Sequence, residues 1–252
     1  MNNTDPSKLL ADAAAIGLLG VEMLTPDLYP AARDVGLEFV SITGHDLDVG
    51  FNNPANHPHL TDGIRAKITH AHDEGIRGVI VFSGKRCGYS DHDAIGHMSD
   101  ALAPLAEEAG QAGVELWLEL LNSRIDHPGQ QCDRSAFAFA VARAVDTPSF
   151  KVLFDCYHMQ IMEGNLMSTI TANLDVIGHV HTAGVPGRRE LDDHQEINWP
   201  AIAGLLHTSG YAGWIGHEFV PRGDPIATLR SALAQFSPRG DGGVTQRRSF
   251  DC

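Results

Sequence analysis

The chain reads VELWLELLN at Val114–Asn122, KVLFDCYHM at Lys151–Met159, GHVHTAG at Gly178–Gly184 and GWIGHEFVP at Gly213–Pro221. Each run has the composition of a buried strand and ends near a group that binds divalent metals through oxygen or nitrogen. These groups are Glu119, Asp155, His181 and Glu218, at intervals of 36, 26 and 37 residues. One strand with its crossover helix takes about 30 or more residues. The spacing is therefore typical of a parallel barrel with a metal at its carboxyl-terminal rim.

Near-continuous apolar runs, as expected of parallel strands covered on both faces, predict seven strands. They are Leu19–Leu24, Glu38–Thr43, Gly78–Phe82, Val114–Leu121, Lys151–Asp155, Ile177–Thr182 and Gly213–Phe219. Helical patterns lie between them, and Asp91–Gln111 is predicted to be a helix with a break at Pro104. This alternation predicts an α/β fold, a (β/α)₈ TIM barrel.

The predicted strand count is one short of a closed barrel. No strand pattern occurs in Met1–Pro6, and the chain enters a helical pattern at Ser7–Ile16. We therefore expect the first strand to be missing or reduced, because the chain start is truncated or because residues 1–6 pair weakly. The length of 252 residues fits one barrel domain, which we predict over residues 1–237. The Gly-, Arg- and Asp-rich segment 238–252 is predicted to be a disordered tail.

Composition narrows the class of function. The net charge of −14 argues against binding nucleic acid by counterion release. The four cysteines have no CxxC spacing, so we expect a reduced, cytoplasmic setting. No uncharged apolar run reaches the roughly 18 residues of a membrane span. A small-molecule substrate is the expected partner, and a homo-oligomer is compatible with the sequence.

The candidate metal ligands each have a structural alternative. Glu119 inside an apolar strand is either a salt-bridged structural carboxylate or a functional group. Asp155 is either a helix cap or a metal ligand with the imidazole of His158 facing the substrate. We expect only one of His179 and His181 to point into the barrel and choose His181, which lies nearer the strand end. By the same argument Glu218 is preferred to its neighbour His217.

Several other polar residues follow predicted strands and are candidates for substrate binding. His45 follows Glu38–Thr43, and Lys85 lies beside Arg86 in the segment FSGKR after Gly78–Phe82. Arg188 lies beside Arg189 after the His181 strand, and either could pair with an anionic substrate group. The alternative for the FSGKR segment is a solvated turn.

Five segments resemble the hydroxypyruvate isomerase family. They are ELLNSRIDHPG (Glu119–Gly129), LFDCYHMQIMEGN (Leu153–Asn165), GHVHTAGVPGR (Gly178–Arg188), QEINWPAI (Gln195–Ile202) and GYAGWIGHEFVP (Gly210–Pro221). That family belongs to the xylose-isomerase-like TIM barrels, with ketose 3-epimerases and endonuclease IV as relatives. The similarity extends from about Leu9 to Phe236. Family members normally have a strand before the first helix, and this chain departs from that pattern.

The resemblance implies one divalent metal ion, Mg²⁺ or Mn²⁺, with Zn²⁺ or Co²⁺ as alternatives. Its ligands would be Glu119, Asp155, His181 and Glu218. It also implies that Glu119 and Glu218 form an acid/base pair, which converts hydroxypyruvate to tartronate semialdehyde through a cis-enediolate. His158 and Arg188 match positions that contact substrate in related epimerases. The full set of substrate-binding candidates is His158, Arg188, His45, Lys85 and Glu196, the last in QEINWPAI.

Other functions remain open from the sequence. A ketose 3-epimerase would use the same metal and the same two glutamates on a longer substrate. A degenerate barrel that binds a metabolite without catalysis is a second alternative, and the missing first strand supports it. A lyase or dehydratase on the same scaffold is a third, whereas a nuclease is disfavoured by the negative charge.

Overall fold

The computed structural model describes residues 5–236 and 247–251. Eight parallel strands are hydrogen-bonded in chain order and form a closed barrel, which confirms the predicted TIM-barrel class. The first seven strands match the seven predicted ones to within a few residues. The eight strands are β1 (Gly20–Glu22), β2 (Glu38–Thr43), β3 (Gly78–Val81), β4 (Glu115–Glu119), β5 (Phe150–Asp155), β6 (Ile177–Thr182), β7 (Trp214–His217) and β8 (Arg247–Asp251).

Helices alternate with the strands through the described part of the chain. They are α1 (Pro6–Ala15), α2 (Tyr29–Asp34), α3 (His57–Glu74), α4 (Asp91–Gln111), α5 (Ser135–Val145), α6 (Cys156–Met162), α7 (Leu166–Asn173), α8 (Trp199–Thr208) and α9 (Pro225–Gln235). Helix α3 is followed by Gly75, whose φ of 74° is the left-handed conformation that favours glycine. Among the described residues, no helix is long and apolar enough to cross a membrane.

The predicted break at Pro104 is wrong, because α4 continues through this residue to Gln111. A proline inside a helix removes one backbone hydrogen bond and typically costs about 3 kcal/mol or more. The buried face of α4 compensates for this loss with apolar side chains on both sides of the proline. They are Ala94, Met98, Leu102, Leu105, Ala106 and Ala109. Tertiary packing therefore outweighs the local preference of proline.

The missing strand was expected near the start of the sequence, but the eighth strand is formed by residues near its end. Arg247–Asp251 lie in the segment predicted to be a disordered tail, and that prediction is wrong for these five residues. Strand β8 pairs in parallel with β7 on one side, where Gly216 faces Ser249, and with β1 on the other, where Gly20 faces Ser249. Residues 1–4, 237–246 and 252 lie outside the described part of the chain.

The chain divides into two compact units, whose boundaries fall inside strands β2 and β6. The terminal unit contains Met1–Val40 and Val180–Cys252, and the central unit contains Ser41–His179. The prediction of a single domain over residues 1–237 stays a prediction. In the terminal unit, Val21, Ile215 and Phe250 are buried on the neighbouring strands β1, β7 and β8. Strand β8 therefore belongs to the apolar core of its unit.

Removing the side chain of Phe250 tests whether β8 belongs to the folded barrel. Phe250 is 1 % exposed, so Phe250→Ala should lower the free energy of unfolding by about 3–5 kcal/mol through lost burial and a residual cavity. Urea denaturation followed by circular dichroism measures the change. Arg247→Ala on the same strand is the matched control, since its side chain is 46 % exposed and should change stability by less than about 1 kcal/mol. Equal stability of the two variants would contradict the closing role of β8.

Candidate functional site

In the terminal unit, His181 lies between two carboxylates. Its Nε2 is 3.0 Å from Oε2 of Glu22, and its Nδ1 is 3.0 Å from Oε2 of Glu218. His181 is near the end of β6, Glu22 is the last residue of β1, and Glu218 directly follows β7. His181 and Glu22 are each 1 % exposed, whereas the side chain of Glu218 is 18 % exposed. The sequence-predicted residues His181 and Glu218 therefore lie in direct contact.

Arg188 extends this cluster towards solvent. Its guanidinium Nη2 is 2.6 Å from Oε1 of Glu218, and its Nε donates to the backbone oxygen of Glu218 over 3.4 Å. The Arg188 side chain is 24 % exposed, so its guanidinium remains partly accessible. The neighbouring Arg189 instead donates to the backbone oxygen of Val220. Of the two adjacent arginines, Arg188 is the one that contacts a predicted site residue.

His217, the residue before Glu218, is buried in the interior of the terminal unit. Its Nδ1 is 2.8 Å from the hydroxyl of Thr182, and its ring packs 5.5 Å from that of Phe236. The backbone N–H of Glu218 donates to the oxygen of Thr182 over 3.0 Å. These contacts fix the end of β7 beside β6, so that His217 points to the core and Glu218 to His181.

In the central unit, Glu119 and Asp155 are the last residues of β4 and β5. They are 7 % and 1 % exposed. Asp155 also caps α6, because its Oδ1 accepts from the backbone N–H of His158 over 3.0 Å. Capping the helix and binding a metal are therefore compatible roles for Asp155, since capping uses only Oδ1. The other oxygen, Oδ2, lies 3.5 Å from Nε2 of His158.

His158 is buried and held by a polar network on its Nδ1 side. The side-chain nitrogen of Asn122 lies 2.6 Å from Nδ1 of His158 and donates to Asp126 over 2.6 Å. The hydroxyl of Tyr157 donates to the same Asp126 carboxylate over 2.8 Å. Asn122, Asp126 and Tyr157 were not predicted as site residues, although all three lie in the quoted family segments.

The described residues include a set of side chains that could hold a metal ion, namely Glu119, Asp155, His181 and Glu218. Three carboxylates and one imidazole provide the oxygen and nitrogen ligands that suit Mg²⁺ or Mn²⁺. Carboxylates with so little exposure are destabilising unless positive charge or hydrogen bonds compensate them. The chemistry of the donor set therefore fits a divalent cation.

His45 has both ring nitrogens next to backbone groups of its own neighbourhood. Its Nδ1 is 2.8 Å from the oxygen of Asp46, and its Nε2 accepts from the N–H of Phe82 over 3.1 Å. Burial lowers the pKa of this imidazole below its ordinary value, which favours the neutral ring. These contacts hold the loops after β2 and β3 together, and a role of His45 in substrate binding stays a prediction.

The other two substrate candidates are less enclosed. Lys85 Nζ is 2.5 Å from Oδ2 of Asp48, and both side chains are nearly half exposed. Arg86, beside it, pairs with Asp91 over 2.7 Å. Glu196 is exposed, and its backbone N–H donates to the oxygen of Val185 over 2.8 Å. Their substrate contacts stay predictions.

Two features of the site differ from the sequence analysis. The expectation that only one of His179 and His181 turns inward is wrong, because residues two apart on a strand share a face. Both are buried, and His179 stacks on Trp117 with ring centroids 4.8 Å apart. Glu22 was missed as a site residue, although a charged residue inside the apolar run LLGVEML is the same signal that identified Glu119.

Comparison with known proteins agrees with the observed fold. The sequence model of the xylose isomerase-like TIM-barrel family matches residues 10–237. The chain belongs to this family. A 2-oxo-tetronate isomerase from Pectobacterium atrosepticum is 31 % identical over 232 residues, covering 87 % of each chain. The hydroxypyruvate isomerase of Escherichia coli is 29 % identical over 231 residues, covering 86 % of this chain and 89 % of the relative. These relatives assign the chain to the isomerases of the xylose isomerase-like family.

Solved structures of other proteins share the fold. A structure described as an AP endonuclease of family 2 from Brucella melitensis superposes with a TM-score of 0.84 at 25 % identity, covering 93 % of this chain and 95 % of that one. An L-ribulose 3-epimerase superposes with a TM-score of 0.75 at 23 % identity, covering 90 % of this chain and 86 % of the epimerase chain. At this identity the epimerase supports the fold alone.

The contacts of His45 predict how it titrates. Its pKa in the folded chain should lie below the ordinary value of about 6.5, as read from the pH dependence of its ring resonances in NMR. The unfolded chain then takes up the proton first as the pH falls, so the stabilisation is present above about pH 6.5 and is lost below it. In the matched variant His45→Gln, the free energy of unfolding should fall less between about pH 7.5 and about pH 5.5 than in the wild type. A His45 pKa above the ordinary value would contradict the effect of this partly buried, backbone-bonded environment.

Proposed function

We propose that this chain is a metal-dependent isomerase that moves a carbonyl group between adjacent carbons of a small hydroxy-keto acid. The proposed reaction converts hydroxypyruvate to tartronate semialdehyde. The observation that carries the proposal is the pairing of Glu218 with both His181 and Arg188. One glutamate thereby adjoins a metal-binding imidazole and a partly accessible guanidinium that can bind a substrate carboxylate.

The proposed metal ligands are Glu119, Asp155, His181 and Glu218, which occupy the ends of their strands or follow them directly. In a TIM barrel the carboxyl ends of the strands form the rim on which active sites are built. A bound Mg²⁺ or Mn²⁺ would supply Lewis-acid polarisation of the substrate carbonyl. Zn²⁺ and Co²⁺ are chemically acceptable alternatives for an oxygen-rich site of this kind.

The two glutamates carry the proton transfers in this proposal. One of Glu119 and Glu218 removes a proton from the hydroxymethyl carbon, and the substrate becomes a cis-enediolate. The other returns a proton to the neighbouring carbon, while the hydroxyl proton moves from one substrate oxygen to the other. The atoms balance without an oxidant or a reductant, since only protons and the double bond change position.

Arg188 and His158 are the proposed substrate contacts. The guanidinium of Arg188 has five donors, so it can hold Glu218 and still bind a substrate carboxylate in a bidentate fashion. The imidazole of His158 is oriented by Asn122 on its Nδ1 side and could donate to a substrate oxygen from Nε2. An arginine at this position favours a short keto acid over a free sugar, which carries no negative charge. The names of the two isomerase relatives also refer to short oxo acids.

Hydrogen exchange in D₂O tests the reaction directly. Protein with Mg²⁺ and hydroxypyruvate should introduce deuterium at the hydroxymethyl carbon and produce an aldehyde-hydrate signal in the proton NMR spectrum. Treatment with EDTA should abolish both signals, and added Mg²⁺ or Mn²⁺ should restore them. Exchange at C3 of a ketose without exchange in hydroxypyruvate would instead support a ketose 3-epimerase. No exchange in either substrate would support a barrel that binds a metabolite without catalysis.

Substitution of the two glutamates separates their chemical role from a structural one. Glu119→Gln and Glu218→Gln should each lower kcat by about 10²–10⁴-fold, because an amide cannot accept the proton. Glu115→Gln is the matched control, since Glu115 begins the same strand β4 and accepts from Nε1 of Trp117 over 2.7 Å. The control should keep kcat within about threefold of the wild type. Wild-type turnover in Glu119→Gln or Glu218→Gln would remove that residue from the acid/base pair.

A further inference from the structure

A chain of buried hydrogen bonds connects the last described strand to His181. The hydroxyl of Ser249 on β8 donates to Oε1 of Glu22 on β1, and Oε2 of Glu22 is 3.0 Å from Nε2 of His181 on β6. Ser249 is completely buried, and the other two side chains are 1 % exposed. All three residues belong to the terminal unit. The C-terminal strand is thus in contact with a side chain that itself contacts the candidate metal ligand.

Each ring nitrogen of His181 lies 3.0 Å from a carboxylate oxygen, Nε2 from Glu22 and Nδ1 from Glu218. An ionised carboxylate only accepts hydrogen bonds, and an imidazole nitrogen that ligates a metal carries no hydrogen. With an ion bound beside Glu218, Nδ1 would therefore be the ligand nitrogen and Nε2 would donate to Glu22. Carboxylate partners of this kind set the tautomer and orientation of metal-binding histidines and raise their basicity.

The glycine opposite Ser249 keeps room for the pair of side chains. A Cβ atom at Gly216 would lie 2.2 Å from Oε1 of Glu22 and 2.8 Å from Cδ2 of His181. Any other residue at this position of β7 would therefore displace Glu22, His181 or both. Gly216 is also the residue of β7 that pairs with Ser249 on β8. Gly216 on β7 therefore leaves the space in which Glu22 on β1 contacts His181 on β6.

We propose that Glu22 and Ser249 are positioning residues for the metal centre, and that β8 therefore completes this centre as well as closing the barrel. This inference rests on the proposed function, because it assigns His181 as a metal ligand. Glu22 would hold the His181 ring so that Nδ1 stays available to a metal ion. Ser249 fixes the Glu22 carboxylate, so that the C-terminal strand controls a group in the active site without touching the substrate.

Metal affinity and the histidine tautomer test the proposal in the full-length protein. Isothermal titration of metal-free protein with Mn²⁺ should give a dissociation constant about 10–100-fold weaker in Glu22→Ala than in the wild type. Ser249→Ala should weaken it by about fivefold, the effect of one lost hydrogen bond. Glu22→Gln should recover most of the affinity, because its amide oxygen still accepts from Nε2. In metal-free wild-type protein, long-range ¹H–¹⁵N NMR should show hydrogen on Nε2 of His181, whichever state Nδ1 adopts beside Glu218, and an Nε2 without hydrogen would contradict the contact with Glu22.

A buried serine away from the site provides the matched control. Ser83 is 1 % exposed in the central unit, and its hydroxyl accepts from the N–H of Cys132 over 2.9 Å. Ser83→Ala should lower stability as Ser249→Ala does, yet leave the Mn²⁺ affinity unchanged. If Ser249→Ala and Glu22→Gln fold and Glu22→Ala does not, the first two variants carry the test.

Three outcomes would overturn the inference in distinguishable ways. Wild-type Mn²⁺ affinity in folded Glu22→Ala and Ser249→Ala would show that both residues are only structural. Equal losses of affinity in Ser83→Ala and Ser249→Ala would assign the effect to general stability. A wild-type protein that binds no Mn²⁺ would contradict the proposed function, whereas an Nε2-protonated His181 in that protein would still support the contact with Glu22.

Discussion

A carboxylate that folding removes from water has to be compensated by hydrogen bonds or by positive charge. This requirement shapes the rim of the barrel, where Glu22, Glu119 and Asp155 are each less than a tenth exposed. Asp155 accepts a backbone N–H at the start of α6, and Glu22 accepts from a serine hydroxyl and contacts an imidazole. Such groups would destabilise an otherwise apolar interior if they served packing alone. Their concentration at strand ends is therefore best explained by the chemistry that they support.

The same requirement gives the closing strand a second purpose. Strand order in a closed barrel is cyclic, so the position between β7 and β1 can be filled from either end of the chain. Here Arg247–Asp251 fill it, in parallel with both neighbours, and Phe250 adds an apolar side chain to the core. Ser249 adds a donor to Glu22, which the barrel interior would otherwise have to supply from another element. Closure of the sheet and compensation of a buried charge thus depend on adjacent residues of one strand.

Sequence patterns predicted those strands and candidate ligands that can be recognised from local composition. Seven strands were located because buried parallel strands are nearly continuous apolar runs, and the four ligand candidates were located because each interrupts such a run at its end. Strand β8 could not be found in this way, since its sequence RRSFD contains only one large apolar residue. This segment is a strand because it pairs with β1 and β7. The predicted break at Pro104 is wrong for a related reason, because the packing that keeps α4 continuous is not visible in the local sequence. Glu22 carried the same signal as Glu119, but its contact with His181 joins residues 159 positions apart.

Arg188 and Arg189 are adjacent, but they differ in backbone conformation and in whether their side chains contact Glu218. Arg188 has a φ of 54°, in the left-handed region that non-glycine residues rarely adopt. Such a conformation costs of the order of 1–3 kcal/mol and persists only where surrounding contacts enforce it. Its backbone oxygen accepts from Val220 over 2.8 Å while its guanidinium holds Glu218, so both ends of the residue tie the segment after β6 to the segment after β7. The backbone of Arg189 pairs with that of Gly184, and its side chain donates to the backbone oxygen of Val220 rather than to Glu218. The strained residue is therefore the one held against the proposed base, which is where an arginine has to lie if it is to position a substrate carboxylate beside that base.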